Sequence, residues 1–143
     1  MFDTIAVVCT GNICRSPIAE ALLKAALPNK TVLSAGTMAM VGDGAWPLSQ
    51  QVSLDHGLDL SAHRAQQLTA TLLRQADLVL TLDASRSAWI HRRHPESRGK
   101  VHLLGRWRGD EDVPDPYGLT KPAFEAGYQQ MAALVQDWLP HLK

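Results

Sequence analysis

The stretch of residues 4–27 constrains the fold more than any other part of the chain. It opens with Thr4-Ile5-Ala6-Val7-Val8, an unbroken β-branched and apolar run of the kind that forms a parallel strand buried on both faces. The run leads straight into Cys9. After a turn containing Gly11, Ser16 and Pro17 supply a cap and a first-turn proline, and residues 18–27 then place apolar side chains at helical spacing. The result is a strand, a tight loop and a helix in immediate succession.

The rest of the chain repeats that alternation. Residues 31–34, 77–82 and 100–104 read as further strands, and helices are expected over 48–56, 66–75, 85–94 and 122–139. The last of these puts Phe124, Tyr128, Met131, Val135 and Leu139 near one face, which marks them as core. Strands alternating with helices imply right-handed crossovers and a parallel sheet covered on both faces, a three-layer α/β architecture. In such sheets ligands sit at the carboxyl ends of the strands, so chemistry is expected in the loop after the first strand.

The chain has 143 residues, 45% of them apolar, enough for one domain over residues 1–143 with a substantial core. Fourteen Lys and Arg balance fourteen Asp and Glu, so no long-range field draws in nucleic acid or an anionic membrane, and any anion must be held locally. No apolar run approaches the roughly 20 residues that cross a bilayer, and the N-terminus lacks the pattern of a signal peptide; the cytoplasm is the expected location. Both cysteines, Cys9 and Cys14, lie in the one loop rather than spread along the chain as in a disulfide scaffold.

That loop reads Cys9-Thr10-Gly11-Asn12-Ile13-Cys14-Arg15-Ser16, a Cys-x5-Arg-Ser pattern between a strand and a helix. A helix N-terminus leaves backbone N–H groups without partners and carries partial positive charge, so a loop wrapped there cradles a phosphate dianion. Gly11 and Asn12 tolerate the positive φ that such wrapping demands. Arg15 adds a planar fork of donors for two phosphate oxygens. The same groups stabilise a thiolate on Cys9, which makes it the nucleophile. The Ser16 hydroxyl is placed to donate to the Cys9 sulfur, both as thiolate and as leaving group.

A phosphate monoester is a poor substrate unless its bridging oxygen is protonated, so a general acid is required. Asp115 in Val113-Pro114-Asp115-Pro116-Tyr117-Gly118 is the best placed, on a loop stiffened by two prolines between the last strand and the last helix. Asp110, Glu111 and Asp112 compete for the role on spacing alone.

Together these segments resemble the low-molecular-weight protein tyrosine phosphatases over nearly the whole chain. The matching stretches are Val8 to Glu20 (VCTGNICRSPIAE), Ser34-Ala35-Gly36, Leu58 to Ala65 (LDLSAHRA) and Pro114 to Tyr117. The resemblance implies a four-stranded parallel sheet with strands in the order second, first, third, fourth, flanked by helices. It implies Cys9 as nucleophile, Arg15 as phosphate ligand and Asp115 as the group that protonates the phenol and then activates water, with no metal and no other cofactor. Thr10, Gly11, Asn12, Ile13, Cys14 and Ser16 are expected around the phosphate. Asn12, Glu20, Ser34 and His63 are expected to form a hydrogen-bond network that holds the loop. Phosphotyrosine is long, so a deep mouth lined by Ile13, Met40 and Tyr117 is expected to select it over phosphoserine.

Two positions depart from many relatives: Met40 stands where a tryptophan is common, with Trp46 further on, and Gln66 stands where an arginine is common. Cys14 matches the family's second loop cysteine, implied either to trap oxidised Cys9 as a disulfide or to pack beneath the loop. The chain resembles the bacterial subgroup paired with tyrosine autokinases of capsule and exopolysaccharide export. The implied partner is therefore a phosphotyrosine protein, with no nucleic acid, no membrane insertion and a mostly monomeric state.

Three rival readings stand beside this one. An arsenate reductase needs further cysteines downstream, and none follows Cys14. In the protein arginine phosphatase branch the residue aligned with Ile13 tends to be threonine and the acid is followed by Pro-Phe, so Ile13 and Tyr117 favour phosphotyrosine. A phosphate-reading module without catalysis would not need Cys9, Arg15 and Asp115 together. The His91-Arg92-Arg93-His94 run is read as a solvated helix face rather than a metal site.

Overall fold

The strands are β1 (Thr4–Cys9), β2 (Thr31–Gly36), β3 (Leu78–Thr81) and β4 (Val101–Leu103), and the computed structural model, which describes residues 2–143, joins them in one sheet. Their order is β2-β1-β3-β4 and every neighbouring pair is parallel, as the alternation and the resemblance imply. Helices α1 (Arg15–Ala26), α2 (Pro47–Asp55), α3 (Ala70–Gln75), α4 (Ala84–Arg93) and α5 (Lys121–Leu142) connect and cover them. Short 3-10 segments occupy Pro95–Lys100 and Arg106–Arg108.

Strand β1 is central, and its period of two divides the core between the two faces of the sheet. Ile5 and Val7 pack with Leu80, Ile18 and Leu23 of α1, Val52 of α2, and Phe124, Met131 and Leu134 of α5. Ala6 and Val8 face the opposite way, into Val79, Leu72 and Leu73 of α3 and Ile90 of α4. All four of these β1 residues are fully buried, which is why the strand carries no polar residue between Thr4 and Cys9. Removing the equally buried Leu80 side chain by Leu80→Ala should cost about 2–5 kcal/mol.

The expected core residues of the last helix are buried, and Leu134, Trp138 and Leu142 extend that face further than the pattern suggests. Trp138 satisfies its indole by donating Nε1–H to the Leu104 carbonyl at 2.8 Å. Among the described residues no helix is long and apolar enough to cross a membrane.

Two local expectations are corrected. The helix expected over 66–75 begins only at Ala70, because Thr69 caps it, accepting the Leu72 N–H at 3.2 Å. Residues 66–68 instead extend along the end of β2: the Gly36 N–H donates to the Gln66 carbonyl and the Leu68 N–H to the Gly36 carbonyl, each at 2.9 Å. Ser16 is not a cap either. Helix α1 starts at Arg15, with Cys14 before it and no side-chain cap bond, because the Ser16 hydroxyl is committed to Cys9 and Asn12.

The parallel register sets Cys9 of β1 level with Gly36 of β2, and Val8 level with Thr81 of β3. The carboxyl ends of β1, β2 and β3 therefore finish at one height. The loops after β1 and β2, the start of α4 and the segment before α5 all gather there.

Candidate active site

The segment after Cys9 turns back on itself so that its peptide carbonyls point outward. The Thr10 carbonyl accepts from the Met38 N–H at 2.9 Å, Gly11 from Met40 at 3.0 Å and Ile13 from Trp46 at 2.8 Å. The Asn12 carbonyl accepts from His63 Nε2 at 2.7 Å and the Cys14 carbonyl from Ser49 Oγ at 3.0 Å. In a trans peptide the carbonyl and the following N–H point in opposite directions. Five outward carbonyls thus turn the N–H groups of Gly11, Asn12, Ile13, Cys14 and Arg15 inward, over the Cys9 side chain, at the N-terminus of α1.

Asn12 makes this wrap possible. Its φ of 59° lies in the left-handed region, which asparagine tolerates better than branched residues. The fully buried side chain then ties three segments together: Nδ2 donates to Ser16 Oγ at 2.8 Å and to Ser34 Oγ at 2.9 Å, and Oδ1 accepts the Gln66 N–H at 2.9 Å. Ser34 Oγ in turn donates to Glu20 Oε1, and Gln66 Nε2 donates to the Ser34 carbonyl at 2.9 Å. Gly36 lies so close that an added Cβ would collide with the Thr10 carbonyl oxygen, so only glycine lets β2 pass beside the loop.

Cys9 Sγ and Ser16 Oγ lie 2.9 Å apart, buried. Because Ser16 already accepts from Asn12, its own hydrogen is available to the sulfur. Cys14, also buried, behaves differently: burial, followed by the charges of Asp115 and Cys9, pushes its thiol up to about 12 against the opposing pull of Arg15. Cys14 is therefore a neutral thiol near neutral pH.

Arg15 is only 2% exposed, an unusual state for a guanidinium, and it is held on several sides. Nη1 donates to Asp83 Oδ2 and to the Val113 carbonyl, both at 2.8 Å, and Nη2 donates to Thr10 Oγ1 at 3.3 Å. Asp83 caps α4 through Oδ1, which accepts the Arg86 N–H at 2.9 Å. Burial acts most strongly on Asp83 and raises it, but the Arg15 and Arg86 hydrogen bonds and both guanidinium charges outweigh burial and hold it below the ordinary carboxylate range.

Asp115 reaches the same place from the segment before α5. Its Oδ2 lies 4.0 Å from Arg15 Nη2 and its Oδ1 accepts the Tyr117 N–H at 3.1 Å, while 47% of the side chain stays exposed. Tyr117 leans on Trp46, with ring centroids 4.9 Å apart. Trp46 thus supports the mouth from behind, although Met40 holds the position where a tryptophan is common.

A hollow of about 310 Å³ is lined by Cys9, Thr10, Gly11, Ile13, Cys14, Arg15, Met38, Met40, Asp115 and Tyr117. The structure therefore brings every expected catalytic and mouth residue to one cavity, with Asn12 and Ser16 beneath it and Glu20, Ser34 and His63 in the network behind. Sequence reasoning missed Asp83, the Val113 carbonyl and Arg86. Asp83 was detectable as an acidic residue at the end of a strand and the start of a helix; Gln66, singled out in the sequence as standing where an arginine is common, contacts the loop through its backbone N–H and β2 through its side-chain amide.

The family model described as low molecular weight phosphotyrosine protein phosphatase matches residues 4–143. The chain is 46% identical over 138 residues to the low molecular weight protein-tyrosine-phosphatase Wzb of Salmonella typhimurium, covering 96% of this chain and 93% of that one. The crystal structure of the tyrosine phosphatase Wzb from Escherichia coli K30 with sulphate superposes with a TM-score of 0.97 at 43% identity, covering 100% of both chains. The YwlE arginine phosphatase from Geobacillus stearothermophilus also superposes, with a TM-score of 0.93 at 32% identity over 99% of this chain and 93% of that one.

Proposed function

The chain belongs to the low molecular weight phosphotyrosine protein phosphatase family, and from that premise we propose that Cys9, Arg15 and Asp115 hydrolyse phosphotyrosine through a phosphocysteine. The observation that carries the assignment is the shared cavity: the Cys9 sulfur at its floor, a ring of inward N–H groups and the Arg15 fork around it, and the Asp115 carboxyl across from them.

The Cys9 thiolate attacks phosphorus and the bond to the tyrosine oxygen breaks as Asp115 delivers a proton to that oxygen. Charge on the transferring phosphoryl group meets the inward N–H groups and Arg15 Nε and Nη2; Nη1 stays on Asp83 and Val113, which fixes the plane of the fork. Asp115, now a carboxylate, takes a proton from water as that water attacks the phosphocysteine. Ser16 donates to the departing sulfur, and inorganic phosphate is released. The phosphotyrosine ring fits the wall of Ile13, Met40 and Tyr117, which a phosphoserine is too short to reach.

The protein substrate is a bacterial tyrosine autokinase of exopolysaccharide synthesis or export, a reading supported by the likeness to the Wzb phosphatases. One chain supplies every residue of the site, so a monomer suffices, and the cytoplasm, where such a kinase would present its phosphotyrosines, is the matching location. Phosphoarginine is the nearest competing substrate, and the higher identity to Wzb than to YwlE, with Ile13 and Tyr117 in the mouth, favours phosphotyrosine. Hydrolysis of phosphotyrosine, phosphoserine and phosphoarginine peptides of one sequence by the purified protein tests this. The phosphotyrosine peptide should be turned over fastest by a wide margin, and a preference for phosphoarginine would replace the reading.

A further inference from the structure

One cation beside the cavity has no part in the chemistry above. Arg86, in the first turn of α4, reaches across to the phosphate loop and donates from Nη1 to Thr10 Oγ1, the same hydroxyl that accepts from Arg15 Nη2 at 3.3 Å. The Arg86 side chain is only 23% exposed. Its Nε is shielded from solvent and has no hydrogen-bond partner, and it stands 3.7 Å from Asp83 Oδ1. That carboxylate is committed elsewhere, to Arg15 at 2.8 Å and to the Arg86 backbone N–H at 2.9 Å. Among the described residues, the guanidinium thus makes one side-chain hydrogen bond, and it is to a threonine. A half-satisfied guanidinium against a loop is unfavourable as packing alone, because an apolar side chain would fill the space without desolvating a charge.

Thr10 gives the arrangement a use. A hydroxyl has two acceptor positions and one hydrogen. Both acceptor positions of Thr10 are occupied by guanidinium N–H groups, so the hydrogen remains, and Thr10 lies on the cavity wall between Cys9 and Gly11. We infer that Arg86 is a positioning residue for the substrate phosphate: it fixes the Thr10 hydroxyl so that its hydrogen faces the cavity, adding one side-chain donor to the ring of backbone N–H groups. With two cations on its oxygen, this O–H is a stronger donor to a dianion than an ordinary threonine. The inference rests on reading the cavity as the phosphate site.

The inhibition constant of inorganic phosphate against hydrolysis of an aryl phosphate reads the interaction directly. Thr10→Val removes the hydroxyl at nearly constant shape, and Arg86→Met removes the guanidinium but keeps an unbranched stem. Each should raise the phosphate inhibition constant about three- to tenfold, the range of one hydrogen bond. Thr10→Ser should bring it back to within about twofold of wild type, and the double variant should be no weaker than Thr10→Val alone, because residues acting along one path are not additive. Thermal unfolding of each variant checks the fold, and if Arg86→Met does not fold, Arg86→Lys takes its place with an intermediate loss that vanishes in the Thr10→Val background. Phosphate affinity unchanged in either single variant overturns the inference, and so do losses that multiply in the double variant. A wild-type protein that neither hydrolyses the aryl phosphate nor binds phosphate would instead refute the cavity assignment beneath it.

Discussion

Replacing Asn12 by alanine removes the side chain on which the loop geometry converges, and the loss can be worked out in parts. Three hydrogen bonds disappear, to Ser16, Ser34 and the Gln66 N–H, and at a net 0.5–1.5 kcal/mol each they sum to roughly 2–4 kcal/mol. An alanine at a φ of 59° adds about 1 kcal/mol of left-handed strain that asparagine largely escapes. The total, roughly 3–5 kcal/mol, is a large fraction of the 5–15 kcal/mol that holds a domain folded. Asn12→Gly loses the same hydrogen bonds but escapes the Cβ strain, and after its greater backbone entropy in the unfolded chain it should recover up to about 0.5 kcal/mol of the alanine loss. Urea unfolding separates the two: with a slope near 2 kcal/mol per molar, the alanine variant should unfold about 2 M earlier than wild type and the glycine variant between them. Aryl phosphate turnover should fall in both, because Ser16 is no longer oriented toward Cys9. Variants that both stay within about 1 kcal/mol of wild type, or a glycine variant weaker than the alanine one, would refute the claim that Asn12 sets the loop.

Three further outcomes follow from the site. Cys9→Ser should abolish hydrolysis of an aryl phosphate while still binding vanadate or phosphate, and wild-type turnover in that variant would remove Cys9 from the mechanism. Asp115→Ala should lower turnover by about 10² to 10⁴, most for substrates with poor leaving groups; an equal rate across a leaving-group series would dismiss Asp115 as the acid. Because Asp83 is held below its unfolded value, it contributes stability that is full above about pH 4 and is lost as pH falls through the lower folded value. Asp83→Asn should therefore flatten the fall in stability below about pH 4, followed by acid unfolding, and weaken phosphate binding through Arg15; an acid limb identical to wild type would show that the Asp83–Arg15 pair does not carry it.

The strand, loop and helix from Thr4 to Ala26 were legible because each part has a one-dimensional signature: an unbroken apolar run, a cysteine and arginine at fixed spacing, a proline in the first helical turn. The α5 core face was readable for the same reason, whereas the central position of β1 was implied only by the family resemblance. The start of α3 was not, because residues 66–68 are extended by pairing with Gly36, a contact 30 residues away in sequence that overrides local helical preference. Ser16 looked like a cap because serine before proline usually is one; its hydroxyl is drawn instead to a sulfur and an amide that only the folded loop brings near. Asp83 and Arg86 escaped notice since their partners, Arg15 and Thr10, are met only across the end of the sheet.

The contacts that set the phosphate loop come from Ser16 and Glu20 on α1, Ser34 on β2, Met38, Met40, Trp46 and Ser49 beyond β2, and His63 and Gln66 on the segment leading to α3. No fragment containing only the Cys-x5-Arg-Ser stretch carries the means to hold its own curvature. Turnover in this protein is consequently an all-or-none reporter of the assembled fold: a nick or a local opening that frees residues 60–68 would silence the enzyme while leaving every reacting group chemically whole. Proteolysis followed in parallel by activity and by mass would register that silence before the chain falls apart.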